Sequence, residues 1–160
     1  MPPTPPVRDK PGRNRPRQAS ARLSEPHLLE AQEIAALGSW ELDIRTREIV
    51  CSPETLRIFG WPENQPADID RLRNAIHPDD RTIVDEWLAD APHARSVPSE
   101  CHFRILRSYE VRTLLGRGRI KLDDGLKIIG TVHDVTEHIL ARRSSEENAQ
   151  LRRGMFENAN

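Results

Sequence analysis

The chain has 160 residues, of which 36% are hydrophobic, and a net charge of −1. That length allows one compact domain with extensions, and a core of ~100–120 residues can fold without covalent staples. Two cysteines, Cys51 and Cys101, with no CxxC pair exclude a disulfide scaffold and suit a reducing compartment. No apolar run approaches the ~18 residues of a membrane helix. The N-terminus has no signal-peptide core, so a cytoplasmic protein is expected.

Charge is unevenly placed. Residues 1–22 hold Lys10 and five arginines against Asp9 alone, a net of +5, so the remainder carries −6. The same stretch holds six of the thirteen prolines. It has almost nothing to bury, so residues 1–23 are expected to be a disordered basic tail. Nucleic-acid contact would be sought there. The acidic remainder lacks the basic face of a nucleic-acid-binding domain.

The folded part begins at Ser24, the N-cap candidate of a helix with Pro26 in its first turn. Leu28, Ala31, Ile34 and Ala35 form its stripe, and Gly38 is placed to end it. In "SWELDI", Trp40, Leu42 and Ile44 share one face and Glu41 and Asp43 the other. With "RTRE" as a turn and "IVC" resuming, Ser39 to Cys51 reads as a β-hairpin. "SPETLRIFG" is a short helix: Ser52 caps it, Pro53 opens it and Gly60 stops it. Residues 61–76 read as loop with one or two helical turns. "HPDDRTIVDEWLADA" is a helix whose Asp79 and Asp80 suit the dipole. Ile83, Val84, Trp87, Leu88 and Ala91 lie on its stripe.

Three strands close the chain. "VPSECHFRILR" puts Cys101, Phe103 and Ile105 on one face. "VRTLLGRGRIKL" follows, with Gly116 and Gly118 permitting close approach. Asp123 to Gly125 form a hairpin turn, and "LKIIGTVHDV" is the final strand before an exposed helix. With no βαβ rhythm, the order predicts an α+β fold, an antiparallel five-stranded sheet with helices gathered on one face.

These residues, in this order, resemble a PAS domain of the bacterial sensory-box kind that carries a PAC motif. The resemblance covers about Glu30 to Arg143. "LGSWELDIRTREIVCSPETLRIFGW" resembles the opening hairpin and first short helix of that family, and "IHPDDR" its central helix start. "FRI", "GRG", "DDG" and "GTVHDVTEH" resemble its last three strands and its strand-to-helix exit. The resemblance implies strand order 2-1-5-4-3 and a sensory or interaction module of a histidine kinase or cyclic-dinucleotide protein. It also implies a flanking helix over 24–37, a core over 38–136, and a linker helix over 137–160 that resembles the opening of a second repeat. Homodimerisation through the flanking helices and coupling to a downstream effector or partner protein follow from the same resemblance. Family members bind haem, flavin, small acids or nothing, so the ligand stays open. Tryptophans common in the family are replaced by Cys51 and Thr113. Its usual "DG" between the third and fourth strands is replaced by Ser108, Tyr109 and Glu110, so that hairpin is expected to use another turn.

The residues offer little catalysis. Asp79–Asp80 and Asp123–Asp124 are paired carboxylates with structural work at a helix start and a turn. No nucleophile elbow or phosphate-binding loop is present. The six histidines lack zinc-ligand spacing. Haem is not expected, because the central helix presents Trp87 and Leu88 and His93 lies past its end. A covalent flavin adduct is excluded by the absent motif cysteine after Gly60. What remains is an apolar pocket or filled core, with candidates Phe59, Ile76, Val84, Trp87, Phe103, Ile105, Leu114, Ile129 and Val132. A second candidate is the exit cap: Asp134 and Thr136 at the strand–helix seam, with Glu137 completing a capping box.

Overall fold

The computed structural model describes residues 24–90, 99–122 and 125–157. The tail to residue 23, Ala91, His93 and the Asp123–Asp124 turn pair lie outside the described residues. The elements in chain order are α1 (Glu25–Ile34), β1 (Leu37–Asp43), β2 (Glu48–Cys51), α2 (Pro53–Phe59), β3 (Ala67–Asp68) and α3 (Ile69–Ala75). A 3-10 turn (Pro78–Asp80) then leads into α4 (Arg81–Asp90), β4 (Ser99–Arg107), β5 (Glu110–Lys121), β6 (Lys127–Asp134) and α5 (Thr136–Glu157).

The strands form one antiparallel sheet in the order β3-β2-β1-β6-β5-β4. The five longer strands, counted without β3, stand in the expected order 2-1-5-4-3. The addition is β3, two residues pairing Glu48 with Asp68 and Ile49 with Ala67. It is too short to show a period of two in the sequence. Asp68 then caps α3, its Oδ1 accepting from Arg71 N–H at 2.7 Å.

Alternation builds the core. Leu42, Cys101, Phe103, Ile105, Leu114, Ile128 and Val132 are buried on the helix-covered face of the sheet. Ile58 and Phe59 of α2, Ile76 at the end of α3 and Val84 of α4 close over them. The free edge of β4 is covered by the chain before α4. His77 N–H donates to Arg104 O at 2.9 Å, and Asp80 Oδ2 accepts from Arg104 N–H at 2.8 Å. An edge so paired cannot add a foreign strand there.

Several local expectations change. Ser24 occupies the N-cap of α1, but its hydroxyl faces His27 Nδ1 at 2.9 Å rather than a backbone N–H. Gly38 does not end α1; the helix stops at Ile34 and turns through Ala36 at φ +49. Gly38 lies inside β1 because α2 presses on it: a Cβ there would clash with the Thr55 hydroxyl and stand 2.8 Å from Thr55 Cα. Ile83 is exposed despite its place in the α4 stripe. The β4–β5 hairpin closes with Ser108 and Tyr109, both left-handed at φ 47 and 70. That is the two-residue geometry that Asp-Gly or Asn-Gly adopts at low cost. α2 follows its punctuation, with Ser52 accepting from Thr55 N–H and Gly60 left-handed at φ 70.

Candidate functional site

Two features remain once the core is accounted for: a small cavity under the sheet and the seam where β6 becomes α5.

The cavity is built by aromatic side chains that cannot close on one another. Trp40 on β1 meets Trp87 on α4 edge to face, with centroids 5.9 Å apart at 72°. Phe59 stacks on Trp61 at 4.5 Å. Gly116 and Gly118 on β5 leave the room these indoles occupy; a Cβ at either would stand 3.2 to 3.3 Å from the Trp87 ring. Trp87 Nε1 is satisfied by Ser99 Oγ at 2.9 Å. The space left has a volume of about 40 Å³. Among the described residues its walls are Trp40, Leu42, Ile49 and Cys51 of the first hairpin, and Thr55, Phe59 and Trp61 around α2. Leu72, Val84, Trp87 and Leu88 come from α3 and α4, and Phe103, Gly116 and Val132 from the last strands.

Of the sequence candidates, Phe59, Val84, Trp87, Phe103 and Val132 stand on this wall. Ile76, Ile105 and Leu114 are fully buried behind it, in the filled core. Ile129 is a correction. It is three residues from Val132, and an odd separation in a strand puts two side chains on opposite faces. Ile128 is the buried neighbour, and Ile129 lines a groove on the outer face with Val50 and Thr131. Missing from the sequence list of pocket residues were Trp40, Leu42, Ile49, Cys51, Thr55, Trp61, Leu72, Leu88 and Gly116. Of these, Cys51 and Leu72 stand on elements too short to show a periodic face, and Trp61 lies between elements.

Cys51 stands where the family commonly has tryptophan, and the cavity lies against it. Burial pushes its thiol up to about 11, against an opposing pull from the nearby Arg71 charge. The Cys101 thiol is likewise raised, by burial and then by the Asp80 carboxylate. Neither is a low-pKa thiolate of the kind that does redox chemistry. A dry cavity of ~150 Å³ takes one benzene ring, so this one does not fit a haem or a flavin, and its described walls carry no histidine. Among the described residues no group of three metal-ligating side chains forms.

The seam is polar and closely tied. Asp134 Oδ1 accepts from Thr136 N–H at 3.0 Å and from its hydroxyl. Asp134 Oδ2 accepts from Arg112 Nε at 2.8 Å. Thr136 Oγ1 in turn accepts from Thr113 N–H at 2.8 Å, and Val135 N–H donates to Thr113 O at 2.9 Å. Burial pushes the Asp134 carboxyl up, but the bonds from Thr136 and Arg112 outweigh it and hold it below its ordinary value. Asp134 on Arg112 raises the guanidinium value further. Glu137 does not complete a capping box: its side chain is 89% exposed and reaches Arg112 at 3.8 Å. Arg112 was absent from the sequence reading and Thr113 entered it only in place of a family tryptophan, because pairs 22 and 23 residues apart leave no local signal.

A second polar tie holds the chain before α4. Arg104 grips Asp80 with two side-chain bonds, at 2.9 and 2.6 Å. That grip lowers the Asp80 carboxyl value, with burial opposing. Asp80 thus ties a helix start to the sheet edge, beyond its expected part in the helix dipole.

Comparison with known proteins gives the same answer as the geometry. No family model matches the chain. The chain is 33% identical over 121 residues to a blue-light-activated histidine kinase of Brucella anthropi, and 28% identical over 120 residues to that of Brucella ovis. Each match covers 74% of this chain and 23% of the relative, so the chain spans about a quarter of their length. A sensory box histidine kinase/response regulator from Burkholderia thailandensis superimposes with a TM-score of 0.58 at 23% identity, covering 82% of this chain and 98% of that one. The N-terminal domain of a diguanylate cyclase with PAS/PAC sensor from Marinobacter aquaeolei gives 0.56 at 18% identity, covering 64% and 97%. The sheet order and these solved structures together show that the chain has the PAS fold, and the relatives it matches by sequence are bacterial signalling kinases.

Proposed function

We propose that this PAS domain is a sensory and protein-interaction module that passes a change at its core, or at a bound partner, into α5. The observation that carries this is the seam. Arg112, Thr113, Asp134 and Thr136 bind the first turn of α5 to two adjacent central strands, β5 and β6. A helix fixed at its root by four such groups follows the sheet when the sheet moves, whereas a loose joint would dissipate the motion. With a cavity of about 40 Å³, the input is either a very small apolar molecule or a protein partner. The residues described contain no effector, so output belongs to a downstream domain or partner. The signalling kinases and cyclase among its relatives support a parent of that class, a histidine kinase or a diguanylate cyclase.

Homodimerisation through the flanking helices is part of this reading. Leu28, Leu29 and Ile34 on α1, and Leu140, Leu151, Met155 and Phe156 on α5, are all exposed. No helix among the described residues is long and apolar enough to cross a membrane. The test is made in the polypeptide that carries the effector. Arg112→Ala and Asp134→Ala should leave the domain folded by circular dichroism while output stops responding to input. A normal response in both variants would overturn the relay.

A further inference from the structure

Helix α1 is held to the domain by few and polar links. None of its residues is buried, and Leu28, Leu29 and Ile34 are 48, 41 and 81% exposed. Gln32 Nε2 donates to Ser39 Oγ at 3.2 Å. Glu33 Oε1 lies 3.4 Å from Arg57 Nη1 on α2, with both side chains largely in solvent. The connection to β1 runs through Ala36 at φ +49, a conformation that a Cβ disfavours. The docked position of α1 is thus opposed by a strained hinge and supported by an ion pair that water screens.

Arg57 has a second carboxylate within reach. Glu54, one turn earlier on α2, is buried with its side chain 8% exposed, and its Oε2 stands 3.0 Å from the same Nη1. That oxygen nevertheless receives no well-directed hydrogen bond. A buried carboxylate in this state is costly, and an exposed one such as Glu33 gains little from its partner. If α1 leaves, Arg57 is free to turn fully onto Glu54. Departure of the helix therefore orphans no buried charge and improves one.

We propose that α1 is a releasable arm hinged at Ala36, its docked and released states set by competition between Glu33 and Glu54 for Arg57. Hydrogen exchange of the amides in residues 25–36, read beside those of β4 to β6, tests this in the full chain. Glu33→Gln should speed α1 exchange several-fold and Glu54→Gln should slow it, with the strands unchanged. Raising sodium chloride from about 0.05 to 0.5 M in the unmodified protein should also speed α1 alone, since the exposed pair to Glu33 is screened more than the partly buried pair to Glu54. This salt series keeps the test decisive should Glu54→Gln disturb the strands. Two outcomes would overturn the proposal: α1 exchange indifferent to Glu33→Gln and to salt, or Glu54→Gln speeding α1 as Glu33→Gln does while the strands stay protected.

Discussion

Cys51, Gly38 and Asp80 each show what one residue settles. Cys51 borders a void that its small thiol leaves open, and its neighbours are apolar. Cys51→Val adds a branched side chain suited to a strand and should stabilise the domain by about 0.5–1 kcal/mol, read as a higher urea midpoint at unchanged slope. Gly38→Ala has the opposite sign. Its new methyl would meet the backbone of Thr55 at 2.8 Å, and α2 cannot retreat without opening the core, so a loss of about 1–3 kcal/mol is expected by the same titration. Both effects depend on contacts between segments far apart in the chain. Gly38 was legible as a glycine with a purpose, but its purpose, packing against α2 rather than ending α1, was not.

The seam and α5 belong to the scale of elements. α5 runs 22 residues with none buried, so it lacks the tertiary packing from which most helix stability in proteins comes. Its first turn is therefore the part that the domain can control. Asp134→Ala should cost about 1 kcal/mol through the lost cap and should raise hydrogen exchange in residues 136–140 before any other segment. Thr136→Val keeps the shape but leaves Thr113 N–H without its acceptor, so it should loosen the same turn. Equal exchange across the whole domain in either variant would mean that the seam is ordinary packing. The sequence announced Asp134 as a cap because the cap is local: two residues join it to Thr136. Arg112 comes from the neighbouring strand, and only strand pairing brings it there.

At the scale of the whole molecule, the response to acid and the assembly state follow from the same ties. Asp80 and Asp134 both have carboxyl values below the ordinary 3.8 in the folded state. Their stabilising share is complete above the unfolded value and is lost as pH falls through the lower folded values. Stability should therefore decline steeply below about pH 4, and Asp80→Asn should flatten that decline while lowering stability at neutral pH. A slope identical to that of the unmodified protein would remove Asp80 from the account. The exposed apolar residues of α1 and α5 set the second expectation. Native mass spectrometry should show a dimer that dissociates on dilution, and Leu140→Glu with Leu151→Glu should shift it to monomer without changing the thermal melt of the sheet.

The sequence by itself determined the five longer strands and the helices with good punctuation, because these rest on spacing within a dozen residues, while the order of the sheet followed from the family resemblance and not from spacing. Alternation showed Cys101, Phe103 and Ile105 facing inward, and Ser52, Pro53 and Gly60 framed α2. The tertiary structure decided the rest. It sent Ile129 outward in favour of Ile128, because a strand in this register has room for only one of two adjacent residues on its buried face. It added β3, whose two residues are a strand only because β2 lies beside them. It gave Asp134 its partner Arg112 and Asp80 its partner Arg104, pairs that exist only once chain segments more than twenty residues apart are brought together. The cavity is of the same kind: Trp40, Phe59, Trp61 and Trp87 were all visible in the chain, and the gap between them is a property of how rigid rings pack, which no spacing records.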